Sequence, residues 1–129
     1  MTVVIGYIPG EYGEAALTAG IEEARRRHTG IVVVNASKGD ALVDRKYLGE
    51  DALADLRDRL GEAGVPHEVR QAVAADVAEE LLEVAGATNA EVMVIGLRRR
   101  TPVGKMIMGS VAQRVLLEAP CPVLAVRPD

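Results

Sequence analysis

One stretch of the chain, residues 92–115, combines glycines with basic residues and a serine. An apolar run that ends at Gly96 comes first, a basic loop follows, and Gly109-Ser110 opens an amphipathic segment. The cations of the loop are Arg98, Arg99, Arg100 and Lys105. A strand, a glycine loop and a helix N-terminus form an anion site, because free N–H groups and the helix dipole face the loop. The stretch therefore predicts phosphate binding, with a solvated charged loop as the alternative.

Two common phosphate-binding motifs do not fit this sequence. A Walker A loop requires G-x-x-x-x-G-K-[ST], but Arg99 stands at the first glycine position and Met106 at the hydroxyl position. A dinucleotide fingerprint requires G-x-G-x-x-G after the first strand. The glycines there are spaced G-x-x-x-G-x-x-G, at Gly6, Gly10 and Gly13. The spacing therefore argues against a P-loop NTPase and against a dinucleotide enzyme.

The sequence offers no recognisable set of catalytic or metal-binding residues. His28 and His67 are too far apart in the pattern to predict a metal pair, and no Cys-His cluster accompanies them. Cys121 lies between two prolines with no candidate base beside it. We therefore expect no catalytic residue, no metal site and, at most, weak hydrolysis of a bound nucleotide.

Length and composition predict one globular domain over residues 1–129, with 49% apolar and 26% charged residues. A net charge of −4, the absence of Phe and Trp, and only three Tyr argue against nucleic-acid binding. Purely apolar runs of about five residues are too short to cross a membrane. Residues 2–8 do not read as a signal peptide. The single Cys121 fits a reducing compartment, so we expect a cytoplasmic protein.

Strand and helix patterns alternate along the chain. Buried apolar runs predict strands at residues 2–8, 31–35, 67–73, 91–96 and 123–126, with the third at a sheet edge. Helical spacing predicts helices at about residues 14–28, 46–63, 76–87 and 110–118. Gly30 is the predicted stop of the first helix. Asp76 with Glu79, and Ser110 with Gln113, are predicted capping boxes for the last two helices.

Alternating strands and helices predict an α/β fold with a parallel sheet and right-handed crossovers. In such sheets, ligands bind past the carboxyl ends of strands where the strand order reverses. If the order is 3-2-1-4-5, this point lies between strands one and four. The loops at residues 8–13 and 97–109 would then face each other across one crevice.

Residues 96–110 resemble the nucleotide loop of the universal stress protein family, whose signature is G-2x-G-9x-G-[ST]. Gly96, Arg99 and Gly109-Ser110 occupy these positions with the right spacing, so three of four residues match. Residues 110–116 and 119–124 are similar to the family's closing segment almost residue for residue. The chain is therefore identified as a single-domain member of this family.

Membership implies an open five-stranded parallel sheet in the order 3-2-1-4-5 with helices on both faces, the adenine nucleotide alpha hydrolase-like fold. It implies a homodimer joined through strand five, Val123–Val126, whose apolar edge would otherwise be open to pairing. It also implies a regulatory module that holds ATP, with or without Mg²⁺, between the loops after strands one and four. The family contains ATP binders and non-binders, so a dimeric interaction protein of the same fold stays the alternative.

The resemblance also implies a set of nucleotide contacts. They are Ile8, Val34, Ile95, Gly96, Arg98, Arg99, Gly109, Ser110 and Val111. Gly109, Ser110 and Arg98 would contact phosphate, with a plain turn, a helix cap and a solvated side chain as their alternatives. Ile95 and Val111 would contribute backbone groups. Val34 would line the adenine pocket, unless it is simply a core valine. For Gly96 the alternatives are a close approach to the ligand and an ordinary strand end.

Two of these positions depart from the family pattern. Ile8 stands where nucleotide-binding members have an Asp that contacts the adenosine end. A lost hydrogen bond of this kind costs about 0.5–1.5 kcal/mol, or up to about tenfold in affinity. Arg99 stands where the family has glycine. Its side chain would either crowd the ligand or donate to a phosphate.

Overall fold

The strand and helix patterns produce five strands and four helices in the computed structural model, which describes residues 2–37, 47–97 and 109–128. In chain order they are β1 (Thr2–Gly6), α1 (Glu11–Arg27), β2 (Gly30–Ser37), α2 (Glu50–Ala63), β3 (His67–Val73), α3 (Val77–Ala87), β4 (Ala90–Gly96), α4 (Ser110–Glu118) and β5 (Val123–Val126).

All five strands are parallel and form one sheet in the order β3-β2-β1-β4-β5, which confirms the predicted fold class. The strand β1 lies at the centre, and its Ile5 is level with Val33 of β2 and Val94 of β4. The strands β3 and β5 are the two edges, as predicted for β3. The strand order reverses between β1 and β4, so a ligand crevice is expected at the carboxyl ends of these two strands.

Alternate side chains of the central strands pack into two apolar cores, one on each face of the sheet. Val3 and Ile5 belong to the core under α1 and α2, whereas Val4 belongs to the core under α3 and α4. All three are fully buried, and each such side chain stabilises the fold by about 1.5–3 kcal/mol. A β-branched run that is buried on both faces is typical of a central parallel strand.

The helix α1 differs from the prediction at both ends. It begins at Glu11 because Gly10, with φ 117°, serves as its N-cap and accepts the Glu14 N–H at 3.0 Å. At its other end the predicted glycine stop is wrong. His28 takes the left-handed conformation, with φ 54°, and ends the helix, whereas Gly30 is the first residue of β2. Histidine is among the residues enriched in this conformation.

Three other boundaries bear on the predictions. The strand β1 stops at Gly6, so Ile8 belongs to the following loop. The helix α2 begins at Glu50, because residues 47–49 are not helical, and the predicted start at Lys46 lies outside the described residues. The predicted cap of α3 is confirmed on one side, where the Asp76 carboxylate accepts the Glu79 N–H at 3.1 Å.

Across the described ranges, every helix is too short or too polar to cross a lipid bilayer.

Candidate functional site

The point at which the strand order reverses lies between the carboxyl ends of β1 and β4, as the predicted order requires. The loop after β1 is described in full. The loop after β4 is described up to Leu97 and again from Gly109. Arg98 and Arg99, two of the predicted nucleotide contacts, lie outside the described residues. The site is therefore built from the β1–α1 loop, the end of β4 and the start of α4.

Gly96 ends β4 beneath the first turn of α1. A Cβ atom on Gly96 would lie 2.5 Å from the carbonyl oxygen of Tyr12 and 2.9 Å from its carbonyl carbon. Real Cβ contacts are almost never so short, so a side chain at this position would push α1 away from the sheet. Helix packing therefore explains this glycine, which is a different reason from either of the two considered from sequence.

Ile8 is half-buried in the β1–α1 loop, and its carbonyl lies under α1. A Cβ atom on Gly13 would lie 1.8 Å from the Ile8 carbonyl oxygen. Gly13 and Gly96 together let the first turn of α1 lie directly on the ends of β1 and β4. This turn therefore borders the point at which the strand order reverses.

Val34 and Ile95 are almost completely buried, with 1% and 5% exposure, in the core under α3 and α4. The Val34 carbonyl accepts the Tyr7 N–H at 2.9 Å. The side chain of Val34 is therefore part of the core.

The helix α4 begins where the phosphate contacts were predicted, but its cap differs from the prediction. The N-cap is Gly109, with φ −62° and ψ 154°, and no side chain caps the helix. Ser110 is the first helical residue and is exposed, so the predicted Ser110–Gln113 capping box is wrong. The Gln113 N–H bonds to the Gly109 carbonyl at 3.0 Å. Both glycine and serine are good N-caps, and local sequence does not choose between adjacent ones.

The first N–H groups of α4, up to Ala112, precede the first intrahelical bond and are directed out of the helix end. Val111 supplies one of them while its half-buried side chain packs on the core under α3 and α4. The Ser110 hydroxyl adds a side-chain donor at the same end. The start of α4 therefore carries a set of hydrogen-bond donors where the chain enters the helix from the β4–α4 loop.

The charges of the first turns distinguish α4 from the other helices of the described chain. The first turns of α1, α2 and α3 each contain two acidic residues, whereas that of α4 contains none. Carboxylates in a first turn offset the positive end of the helix dipole. The positive end of α4 is not offset in this way, which is the electrostatic condition for an external anion.

A polar cluster beside the β1–α1 loop was not predicted from the sequence. Tyr7 is 7% exposed, and its hydroxyl donates to the Glu14 carboxylate at 2.6 Å. Arg59 of α2 binds both oxygens of the same carboxylate. Burial, reinforced by Glu14, raises the pKa of Tyr7 to about 12, and the Arg59 hydrogen bond lowers the pKa of Glu14.

Asn35 links the same loop to β3 and to the segment that precedes α2. Its amide donates to the Tyr7 carbonyl at 3.0 Å, and its oxygen accepts the Leu48 N–H at 2.9 Å and the Gln71 amide at 3.2 Å. Asn35 is fully buried. A lone amide at the end of the apolar run of β2 was the sequence signal for this anchor, because buried polar groups are nearly always hydrogen-bonded.

The helix α4 is joined to α3 through Arg114. Its guanidinium binds Glu79 at 2.6 Å and Glu118 at 2.8 Å, and it also pairs with Asp76, the N-cap of α3. The Glu79 carboxylate of α3 is therefore paired with Arg114 of α4. These contacts help to fix the direction in which the α4 N-terminus points.

Other reactive groups lie apart from the crevice. The ranges 2–37, 47–97 and 109–128 contain no group of three His, Cys, Asp or Glu side chains placed to hold a metal ion. His67 bonds to the Val65 carbonyl at 2.9 Å at the opposite end of the sheet. Cys121 is half-buried, and burial raises the pKa of its thiol.

Comparison with known families gives a match along nearly the whole chain. Residues 1–127 match the universal stress protein family. A universal stress protein of Mycolicibacterium smegmatis is 51% identical over 126 residues, which cover 98% of this chain and 97% of that protein. A universal stress protein of Thermus aquaticus is 32% identical over 138 residues, with 98% of each chain covered.

Solved structures show the same similarity. A universal stress protein from Archaeoglobus fulgidus has a TM-score of 0.79 and 27% identity, with 97% of each chain covered. A structure of the universal stress protein from the same organism in complex with dAMP has a TM-score of 0.66 and 25% identity, with 97% of this chain and 96% of that chain covered.

Proposed function

This chain belongs to the universal stress protein family, and on that premise we propose that it is a single-domain regulatory module that binds ATP, with or without Mg²⁺. The nucleotide lies in the crevice between the loops that follow β1 and β4. The proposed role is binding rather than turnover, because the sequence shows no general base beside the phosphate loop. The unpaired Cys121 supports a cytoplasmic location.

One observation carries the proposal: α4 starts at the crevice with no acidic residue in its first turn. Its free N–H groups and uncompensated dipole suit a phosphate group. The similar structure from Archaeoglobus fulgidus in complex with dAMP supports an adenine nucleotide as the ligand class. In this arrangement Gly109, Ser110 and Val111 hold phosphate through N–H groups and the serine hydroxyl.

The remaining predicted contacts complete the proposed site. Arg98 and Arg99 supply guanidinium donors to the phosphates. Ile95 and Gly96 contribute backbone at the end of β4, and Val34 lies beneath the adenine. Ile8 offers only backbone groups at the adenosine end, so one side-chain hydrogen bond is missing there. This lowers the expected affinity by up to about tenfold relative to a member with the Asp.

Calorimetric titration with ATP, ADP and AMP tests the proposal. The Gly109→Leu variant should weaken ATP binding by about tenfold or more, which corresponds to at least about 1.4 kcal/mol, because the leucine occupies the approach to the α4 N–H groups. Gly49→Leu is the matched control. Gly49 is the N-cap of α2 in similarly extended backbone, with φ −74° and ψ 174°, and the described chain leaves open space around it.

Both variants keep a backbone conformation that any residue adopts, so both should fold. Equal ATP affinity in Gly109→Leu and Gly49→Leu would contradict phosphate binding at α4. Absence of heat and of a thermal shift at millimolar nucleotide with the unmodified protein would remove the proposal altogether.

The second candidate is a dimeric interaction protein of the same fold that binds no nucleotide. The apolar side chain of Ile8 at the adenosine end favours it. Mass spectrometry of the supernatant from the denatured, freshly purified protein separates the two candidates. A released adenine nucleotide would count against the second candidate. A supernatant without nucleotide, together with a silent titration, would favour it.

A further inference from the structure

The Glu14 carboxylate joins three separate elements beside the crevice. Glu14 lies in the first turn of α1, accepts a hydrogen bond from the Tyr7 hydroxyl in the loop after β1, and binds Arg59 of α2 through both oxygens. A bidentate pair of this kind fixes orientation as well as distance. The helix α2 is thereby connected to the β1–α1 loop, although none of the predicted nucleotide contacts lies in α2.

Tyr7 is held at each of its polar groups. Its N–H donates to the Val34 carbonyl at 2.9 Å, its carbonyl accepts from Asn35 at 3.0 Å, and its hydroxyl donates to Glu14 at 2.6 Å. Ile8 follows directly, and its carbonyl packs under Gly13. The backbone of the β1–α1 loop is therefore held in position by the hydrogen bonds of Tyr7 and by the packing of α1 against Ile8.

The exposure of the ion pair indicates what it contributes. The Arg59 and Glu14 side chains are 39% and 42% exposed, and exposed pairs add little to global stability. Tyr7, in contrast, is buried, and its hydroxyl has Glu14 as its acceptor. Arg59 restricts the rotamer of Glu14, and Glu14 in turn restricts Tyr7. The Arg59–Glu14 pair is therefore expected to restrict the conformation of the β1–α1 loop more than it stabilises the whole fold.

We propose that Arg59 is a positioning residue for the nucleotide site, which acts through Glu14 and Tyr7 to hold the β1–α1 loop where it receives the adenosine. This inference rests on the proposed function. Because coupling free energies are reciprocal, nucleotide binding also strengthens the docking of α2.

The test compares Arg59→Ala with Arg57→Ala, a substitution of an exposed arginine two residues away on the same helix. The Arg59 variant should bind ATP about three- to tenfold more weakly than the Arg57 variant, with a small change in thermal stability. Glu14→Gln should lose a similar factor. The double variant of Arg59 and Glu14 should lose no more than either single one, because both changes break the same path. Arg59→Lys should recover only part of the affinity, since lysine lacks the bidentate fork.

Amide hydrogen exchange without nucleotide provides the second measurement. Exchange across residues 8–12 should be faster in Arg59→Ala than in Arg57→Ala. If the unmodified protein binds ATP and the two arginine variants bind it equally, the inference is wrong. If the unmodified protein binds no nucleotide, the proposed function is wrong, and only the exchange rates then test whether Arg59 holds the β1–α1 loop. Equal exchange rates in the two variants would show that it does not. Faster exchange in Arg59→Ala would show that it does.

Discussion

Two glycines of one sequence motif have different physical roles in this molecule. Gly96 is required by contact with α1, where the Tyr12 carbonyl leaves no room for a side chain. Gly109 is the N-cap of α4 in extended backbone that any residue can adopt. Substitution at Gly96 is therefore expected to lower the stability of the fold, whereas substitution at Gly109 is expected to weaken ligand binding.

Gly96→Ala should lower the free energy of unfolding by about 1–3 kcal/mol, the usual cost of adding a methyl group to a closely packed contact. Gly61→Ala is the control. Gly61 lies in α2, and no neighbouring element of the described chain comes within 4 Å of the position that an added methyl group would take. Alanine there should stabilise the protein by up to about 1 kcal/mol. Urea denaturation measures both. A Gly96→Ala protein as stable as the unmodified one would show that α1 does not rest on β4 as described.

The pKa of Tyr7 predicts how stability depends on alkaline pH. The pKa is raised from 10 to about 12 in the folded protein, so the folded state retains a proton that the unfolded chain loses. The contribution of Tyr7 is fully present below pH 10 and is lost as the pH rises to about 12. Its upper limit is about 3 kcal/mol. Urea denaturation from pH 9 to pH 12 should show a steeper fall in the unmodified protein than in Tyr7→Phe. Parallel curves for the two proteins would contradict the assignment.

At the scale of elements, the strands were the most predictable part of the fold. The apolar runs of β1, β2 and β4 are continuous, so these strands were predicted as buried strands. Their parallel pairing was predicted from the alternation of strands with helices, and the sheet confirms it. The ends of the helices were less predictable. His28 ends α1 because its backbone turns left-handed ahead of β2, while sequence pattern favoured the nearby Gly30. A local pattern identifies residues able to end a helix, and the path of the chain selects among them.

At the candidate site, the sequence pattern predicted the end of β4 at Gly96 and the start of α4 at Ser110, and the structure confirms both. The packing of Tyr12 on Gly96 and the pairing of Arg59 with Glu14 were not foreseen. In both cases the partners are distant in sequence and meet only when α1 and α2 lie on the sheet. Contacts that depend on how elements pack leave no periodic signal in the chain.

At the scale of the whole molecule, the two edges of the sheet differ in character. The edge strand β3 carries Glu68 and Arg70, which pair with each other. The edge strand β5 is the apolar segment Val123–Val126, and Leu117 of α4, just before it in sequence, is 78% exposed. Charged residues discourage pairing at an open edge, whereas an apolar edge invites it. We propose that two copies of this chain associate through β5.

Ala125→Pro tests this association. The carbonyls of Pro122 and Val126 accept from β4 and the residue after it, so by alternation the N–H of Ala125 points away from the sheet. Proline at this position removes an outward donor and keeps the bonds to β4. Analytical ultracentrifugation should show a dimer for the unmodified protein and a monomer for the variant.

Val73→Pro supplies the control at the other edge. The Ala74 N–H donates to Ser37 of β2, so the N–H of Val73 points outward in the same way, and Val73 is 65% exposed. This variant should remain a dimer. A monomer in both variants, or a dimer in both, would reject pairing through β5.

The charged pair on β3 has a consequence for how large the assembly becomes. Pairing through β5 about a twofold axis is isologous and uses up that edge in both copies. The resulting ten-stranded sheet would then end in two β3 strands, each carrying Glu68 and Arg70. Both remaining edges of the described sheet then carry this charged pair, which discourages pairing with a third chain. A chain with one apolar sheet edge and one charged sheet edge should assemble only as far as a dimer. Raising the protein concentration should therefore increase the fraction of dimer without producing fibres.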